Sequence, residues 1–263
     1  MRSLLAILAI SSILFSCGSS NSEEKSTTKT QPWSLEFNSL RKSEADCTGD
    51  TCTYIELSIP VLSGGSVDAR SRINEYVDAT FREALKSRLP EPNSMAPFPD
   101  LAESFLEGYK LFNMEFPESD AAWYLELKGD SSILTDEYFT AIVKDNDFMG
   151  GAHPNSYTTI QSFDLEDGKR IDILSRYDSA SVYQMAEAEF RTIHQIPDSI
   201  GLNDAGMMFE NGNFALPENM GLSPNGLLLY YNSYEVASYA TGPTKIHIPY
   251  SKLESVNQDL ANH

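Results

Sequence analysis

Thr53-Tyr54-Ile55-Glu56-Leu57-Ser58-Ile59-Pro60, then Ser63-Gly64-Gly65-Ser66, then the run from Val67 onward decides the fold class. Up to Pro60 apolar and polar residues alternate, the period-2 mark of a half-buried strand that ends at the proline. After the Ser-Gly break the period lengthens. Over 67–89, Ile73, Val77, Phe81 and Leu85 recur every fourth residue and share one face of a helix. Both element types therefore occur in one short stretch, and the mixture repeats outward from it. Upstream, Trp33-Ser34-Leu35-Glu36-Phe37 alternates again, so the intervening segment is expected to join two antiparallel strands. Downstream, Pro90, Pro92, Pro97 and Pro99 mark a loop, and Asp100 is placed to cap a second helix carrying Leu101, Phe105, Tyr109 and Phe112. Strand patterns return at 122–128, with Trp123, Leu125 and Leu127 on one side, at 138–143 and at 157–163. Gly129-Asp130 begins a turn, and Glu166-Asp167-Gly168-Lys169 is a hairpin-turn signal. A third helix is expected over 179–193 and a Gly- and Asn-rich loop over 201–226. Paired strands follow at 227–231 and 244–249, with a helical turn at 233–239 between them, and a closing helix at 250–256. Strands and helices mix without regular alternation, which predicts an α+β fold. Its mixed or antiparallel sheets and few packed helices are expected in two intimately joined subdomains, 33–149 and 150–258.

The N-terminus carries targeting information. Arg2 is a short positive region, and residues 4–14 are an apolar run interrupted by small residues. That is too short to span a bilayer, which takes roughly 20 apolar residues, and it suits the apolar region of a signal peptide. The run ends in Leu14-Phe15-Ser16-Cys17, which resembles the lipobox of bacterial lipoproteins. The resemblance implies removal of residues 1–16, lipid on the Cys17 sulfur and acylation of the new amine. The expected location is extracytoplasmic and membrane-anchored, in the outer membrane or at the cell surface if the source has two membranes. Residues 17–32 are polar and read as a flexible tether. Within it Ser22-Glu23-Glu24-Lys25 is open to two readings, a solvated tether or a surface-export signal of the kind found beside the lipid cysteine in some Bacteroidetes-type lipoproteins.

The remaining chain, about 230 residues, suffices for a proper core. Composition is ordinary, 41% hydrophobic and 11% aromatic, but charge is not: 19 Lys and Arg face 38 Asp and Glu, a net −19. Loss of Arg2 with the signal leaves 18 against 38, or −20. Such acidity argues against nucleic acid or anionic head groups as partners and favours cationic ones, or simply solubility. Of three cysteines, Cys17 is assigned to lipid. Cys47-Thr48-Gly49-Asp50-Thr51-Cys52 suits a disulfide across a tight turn in an oxidising compartment, a local clip contributing about 2 kcal/mol. A metal site there lacks two further ligands.

The chain carries no glycine-rich phosphate loop, nucleophile elbow or zinc-protease pair. Asp145-Asn146-Asp147 begins like a calcium loop, but Phe148-Met149-Gly150 does not continue it. No metal or cofactor is expected. His194 falls in a helix, His247 alternates with Ile246 and Ile248, and His263 is the last residue, which leaves His153 in a turn-rich loop.

Two segments carry a family resemblance. One is Gly150-Gly151-Ala152-His153-Pro154-Asn155-Ser156-Tyr157 with Phe163-Asp164-Leu165 and Gly168-Lys169 downstream. The other is Gly226-Leu227-Leu228-Leu229-Tyr230-Tyr231, then Tyr234-Glu235-Val236-Ala237, Tyr239-Ala240, Gly242 and residues 246–250. Together, across about residues 45–258, they resemble the paired uncharacterised extracytoplasmic domains of lysozyme-sensing anti-sigma factors of the RsiV type. Similar domains precede the catalytic domain of some peptidoglycan deacetylases. The resemblance implies an α+β extracytoplasmic module, with lysozyme binding in one branch. It does not extend to a transmembrane helix, a sigma-binding segment or a deacetylase domain. Gly150, Gly151, His153, Pro154, Tyr234 and Tyr239 are thus the candidate motif or binding residues. The bland reading makes the first run a tight crossover between subdomains with His153 hydrogen-bonded inside, and makes Tyr230, Tyr231, Tyr234 and Tyr239 core residues. The expected function is a lipid-anchored, non-enzymatic binding module for lysozyme, another cationic protein, or peptidoglycan. The alternative is an envelope glycan hydrolase with a carboxylate pair that linear sequence does not select.

Overall fold

The alternating segments form β1 (Ser34–Ser43) and β2 (Tyr54–Ser63), paired antiparallel from Ser34↔Ser63 to Ser43↔Tyr54. The computed structural model describes residues 31–44, 52–90, 95–119 and 121–254. The expected signal peptide, Cys17, most of the tether and Cys47 lie outside them. Cys52 is buried just ahead of β2. Pro60 does not end the strand as expected. β3 (Tyr124–Lys128) pairs with β2 in parallel only as far as Ser58. The position where Pro60 lacks an N–H therefore faces no further ladder on that side, where a proline is tolerated.

Parallel pairing of β2 and β3 requires a crossover, and two helices supply it. α1 (Val67–Lys86) is capped by Ser66, whose hydroxyl accepts from the Ala69 N–H at 3.1 Å, and it buries Ile73, Val77, Phe81 and Leu85 as the spacing predicts. It stops at Lys86, short of residue 89, although Leu89 still packs on the core. α2 (Phe98–Glu115) buries Leu101, Phe105 and Tyr109, and Phe112 is half-buried with its ring 5.0 Å from that of Trp123. Asp100 is not its cap. Pro97 holds that position and Pro99 sits in the first turn, where the missing proline N–H costs no helical bond. Asp100 falls inside the first turn and contributes its charge at the positive end of the helix.

β5 (Tyr138–Phe148) is long enough to pair with β3 over its second half and with the two-residue β4 (Ile133–Leu134) near its start. β6 (Asn155–Asp164) pairs with its other edge. The sheet order is β1-β2-β3-β5-β4 with β6 beside β5. α1 and α2 cover the face that carries Ile55, Leu57, Leu125, Leu127 and Phe139, forming the first core.

The second core gathers under a smaller antiparallel sheet. α3 (Ile173–Arg176) is a single turn the sequence did not announce. α4 (Ser179–Ile193) occupies the predicted span and is capped by Asp178, which accepts from the Ser181 N–H. β8 (Gly226–Tyr231) and β9 (Thr244–Pro249) pair as expected. β7 (Asn219–Ser223) is a strand where a loop was expected. Asn219-Met220-Gly221-Leu222-Ser223 has no β-branched residue, and its pairing with β8 through Pro224-Asn225 makes it a strand. Where a short helical turn was expected over 233–239, residues 233–237 form a turn and bend, and a 3-10 turn follows at Tyr239–Thr241. A helix does open at Tyr250, described to residue 254.

The two sheets meet over β6 without merging. Asn232 Oδ1 accepts from the Thr158 N–H at 2.7 Å and its amide donates to the Thr158 carbonyl at 3.0 Å. Asn219 Oδ1 accepts from the Ile160 N–H at 3.0 Å, and Ser162 Oγ accepts from the Leu222 N–H at 2.8 Å. Side chains thus satisfy an edge that would otherwise offer bare backbone groups. β7 crosses so closely that a Cβ on Gly221 would stand 2.6 Å from Ile160 Cγ2. Ile142, Ile160 and Leu228 form a small apolar contact between the sheets. The molecule is α+β, with a curled mixed sheet and a second antiparallel one.

Candidate functional site

The run from Gly150 to Pro154 is not a crossover between subdomains. It is the loop of the β5–β6 hairpin, whose strands pair from Asp147↔Asn155 to Tyr138↔Asp164. The expected boundary at 149/150 falls inside this hairpin. Gly150 and Gly151 hold φ of +91° and +106°, while among the described residues nothing stands within 4 Å of where their Cβ atoms would be. Backbone conformation, and not space, calls for glycine there.

His153 is half-buried at the surface, not hydrogen-bonded inside. Its Nδ1 lies 3.0 Å from the Pro154 carbonyl. A carbonyl only accepts, so Nδ1 carries the hydrogen and Nε2 of the neutral ring is an acceptor. The Tyr234 hydroxyl stands 3.2 Å from that Nε2. Tyr239 stacks on the imidazole at 3.8 Å between centroids and 18° between planes, and its hydroxyl donates to the same Pro154 carbonyl at 3.0 Å. The Tyr234 ring closes the triangle, 5.6 Å from Tyr239. His153, Pro154, Tyr234 and Tyr239 thus come together where the hairpin loop meets the turn after β8, and Gly150 and Gly151 shape that loop. Tyr231 is core, as expected, at 1% exposure, but Tyr234 is 60% exposed.

Tyr234 also holds φ of +67°. A non-glycine residue in that region costs on the order of 1 kcal/mol, and such strain collects at functional positions. Beside its ring lies a shallow depression of about 470 Å³ bordered by Tyr157, Glu218 and Glu235. Burial and then the neighbouring Glu218 push the Glu235 carboxyl above its ordinary range, against the Asn232 N–H that donates to it at 2.8 Å. On the other side the aromatic surface runs across the first sheet. Tyr54 stacks on Tyr124 at 5.8 Å, Tyr124 lies 6.4 Å from Phe148, and the Tyr124 hydroxyl is raised by burial first, then by Glu126 and Asp147, with Tyr239 adding least. The arrangement can hold a partner between aromatic rings and carboxylates.

Sequence reading passed over a second polar group. Asp145 and Asp147, which began the calcium-like run, lie in strand β5 and not in a loop, and both contact Arg88 Nη2 at 2.8 Å. The available signal was parity, since they fall on the face of Ala141 and Phe139, where a carboxylate is out of place without a partner. Among the described residues, no group of three or more His, Cys, Asp or Glu is placed to hold a metal ion. A larger cleft of about 900 Å³ lies between α1 and the β1–β2 hairpin, but the polar side chains that α1 gives it are held by the protein's own groups, Asp78 by Arg82 and Glu75 by Ser71 among them. Asn74 bonds both backbone groups of Leu62, and Arg70 donates to the Gly64 carbonyl. His194 sits 2.8 Å from Thr244 Oγ1 with its pKa lowered by burial, a packing role, and His247 points to solvent.

Residues 165–251 match the model of DUF3298, a family described as proteins of unknown function. The DUF3298 segment contains Glu218, Tyr234, Glu235 and Tyr239, and the Gly150–Pro154 loop lies upstream of it. No curated protein matches the chain. A DUF3298-family crystal structure from Bacteroides fragilis shares the fold with a TM-score of 0.60 at 19% identity, covering 86% of this chain and 94% of that one. Another from Pseudomonas aeruginosa does so with a TM-score of 0.54 at 16% identity, again over 86% and 94%. The agreement with the expected resemblance is at the level of the DUF3298 family.

Proposed function

We propose that the chain is a lipid-anchored, extracytoplasmic binding module, and that the His153–Tyr234–Tyr239 face docks a cationic envelope protein, lysozyme being the first candidate. One observation carries the reading: the largely exposed Tyr234 ring and the half-buried Tyr239 and His153 rings, drawn from two distant segments, are held together beside Glu218 and Glu235, at the cost of a strained backbone at Tyr234. Aromatic anchors with adjacent charge are what binding hot spots are made of. The net charge of −19 supplies attraction to a basic partner, and the resemblance to lysozyme-sensing modules supplies the candidate. Charge alone gives fast and unselective encounters, since complementarity raises on-rate more than affinity. Peptidoglycan, the other expected partner, is an outcome of the same experiment.

The test is a titration of the purified protein with lysozyme, with an equally basic unrelated protein and with peptidoglycan fragments. It is run at low salt and at roughly 0.5 M salt, where the screening length falls below about 8 Å. Lysozyme-selective binding that persists in salt supports the reading. Equal binding of both basic proteins, lost in salt, makes the acidity a solubility device. Binding of the fragments alone moves the ligand class to glycan.

A further inference from the structure

Asp145 is a buried carboxylate that the aromatic face does not use. Arg88 Nε and Nη2 both reach Asp147 Oδ1, at 3.3 and 2.8 Å, and its Nη1 donates to the Ala84 carbonyl. Asp147 Oδ2 accepts further from the Asn155 amide at 3.2 Å. Asp147 alone therefore balances the guanidinium, and Asp145 is a surplus negative charge. It shares Nη2 through Oδ2, while Oδ1 has no hydrogen-bond partner among the described residues. The residue is 9% exposed. A carboxylate so placed is costly unless a donor reaches it.

Asp145 borders a cavity of about 310 Å³ where α1 leaves the inner face of β5 and β6 uncovered. Thr80, Glu83 and Ala84 of α1 form one wall, and Val143, Tyr157 and Thr159 of the strands form the other. Carboxylates and hydroxyls stand beside apolar surface, and the lining holds no basic side chain. A calcium ion takes six to eight oxygen ligands, which these residues do not gather. An alkyl stem ending in a delocalised or ammonium cation matches both parts: the stem against Ala84, Val143 and the Tyr157 ring, the head between Asp145 and Glu83.

We propose that this cavity is a binding subsite for the guanidinium or ammonium head of a basic side chain, with Asp145 as the anchoring carboxylate. Tyr157 also borders the Glu218–Glu235 depression, so one basic partner can address both places. In that respect the inference rests on the proposed function, whereas the subsite itself does not. A free alkyl amine or guanidine carries the same chemistry.

The experiment titrates the purified protein with n-butylguanidinium and with n-butylamine, following side-chain carboxyl carbons by NMR. Saturable shifts at Asp145 and Glu83 are expected, and the affinity read at the Glu83 carboxyl should weaken at least roughly tenfold in Asp145→Asn and stay unaffected in Glu218→Gln. Ala84→Leu, which narrows the cavity and touches no carboxylate, should weaken binding by a similar factor while the melting curve stays cooperative. If Asp145→Asn also weakens lysozyme binding, the cation belongs to a protein partner; if it leaves lysozyme binding intact, the subsite takes the free base. Retained butylguanidinium binding in a protein that ignores lysozyme would sink the proposed function and keep the subsite. Absence of saturable binding of either probe, or equal binding to Asp145→Asn, overturns the inference.

Discussion

Position 234 holds a tyrosine where the backbone prefers glycine or asparagine, and its ring is largely in solvent, so core packing does not explain the tyrosine. Asparagine tolerates the left-handed region better. Tyr234→Asn should leave the melting temperature unchanged or slightly raised and remove lysozyme binding, as read by calorimetry on both. A lower melting temperature with binding intact would make the ring a structural prop. Asp145 gives a prediction with a sign. Its carboxyl is pushed from an ordinary 3.8 up to about 6, by burial first and by Asp147 against the opposing Arg88. The folded state thus holds the proton more tightly than the unfolded chain. The stability this adds is fully present below the ordinary value and is lost as pH rises through about 6, a change of roughly 2–3 kcal/mol across the window. Urea unfolding between pH 4 and 7 should show that loss, and Asp145→Asn should remove it. Equal slopes for the two proteins would mean that Arg88 neutralises the carboxyl more fully than its burial suggests.

The element most dependent on its neighbours is β6. Its outer edge is satisfied at Thr158 and Ile160 by the Asn232 and Asn219 side chains, while its own Ser162 hydroxyl accepts from the Leu222 N–H of β7, so the second sheet docks by side-chain hydrogen bonds. Asn232→Ala leaves both backbone groups of the buried Thr158 without that partner, at about 1–3 kcal/mol for each. Amide exchange should quicken at Thr158 first, and a drop spread evenly over the molecule would count against a local seam. Gly221→Ala presses a methyl against Ile160 and Thr140 and should cost about 1–3 kcal/mol by overpacking. Element reading from sequence succeeded where one face is buried and the period is clear, as in α1, α4 and β3. It failed at β7, which lacks strand-forming residues and owes its conformation to β8, although Pro224-Asn225-Gly226 is a turn signal that marks such a hairpin. It failed at Pro60 because the length of β3, which decides whether that edge is paired, is not local information.

For the molecule as a whole, the anchor and the clip are the expectations to check. Cys17→Ala should abolish incorporation of a clickable fatty acid, and unchanged labelling rejects the lipidation assignment. Cys47 and Cys52 should resist alkylation in freshly purified protein denatured without reductant. Two alkylated cysteines would remove the disulfide and with it the oxidising compartment as its explanation.

The sequence by itself determined the α+β class, most helices and strands, the acidity and the residues at which the candidate face is found. Periodicity, turn chemistry and net charge are written in neighbouring residues. Tertiary structure alone decided that the loop at Gly150–Pro154 is a hairpin tip and that His153 lies at the surface stacked on Tyr239, about 85 positions away. It also decided that Asp145 faces a cavity with one oxygen unpartnered. The reason is physical. Whether a ring or carboxylate is core or site depends on what covers it, and what covers these groups comes from strands and helices distant in the chain.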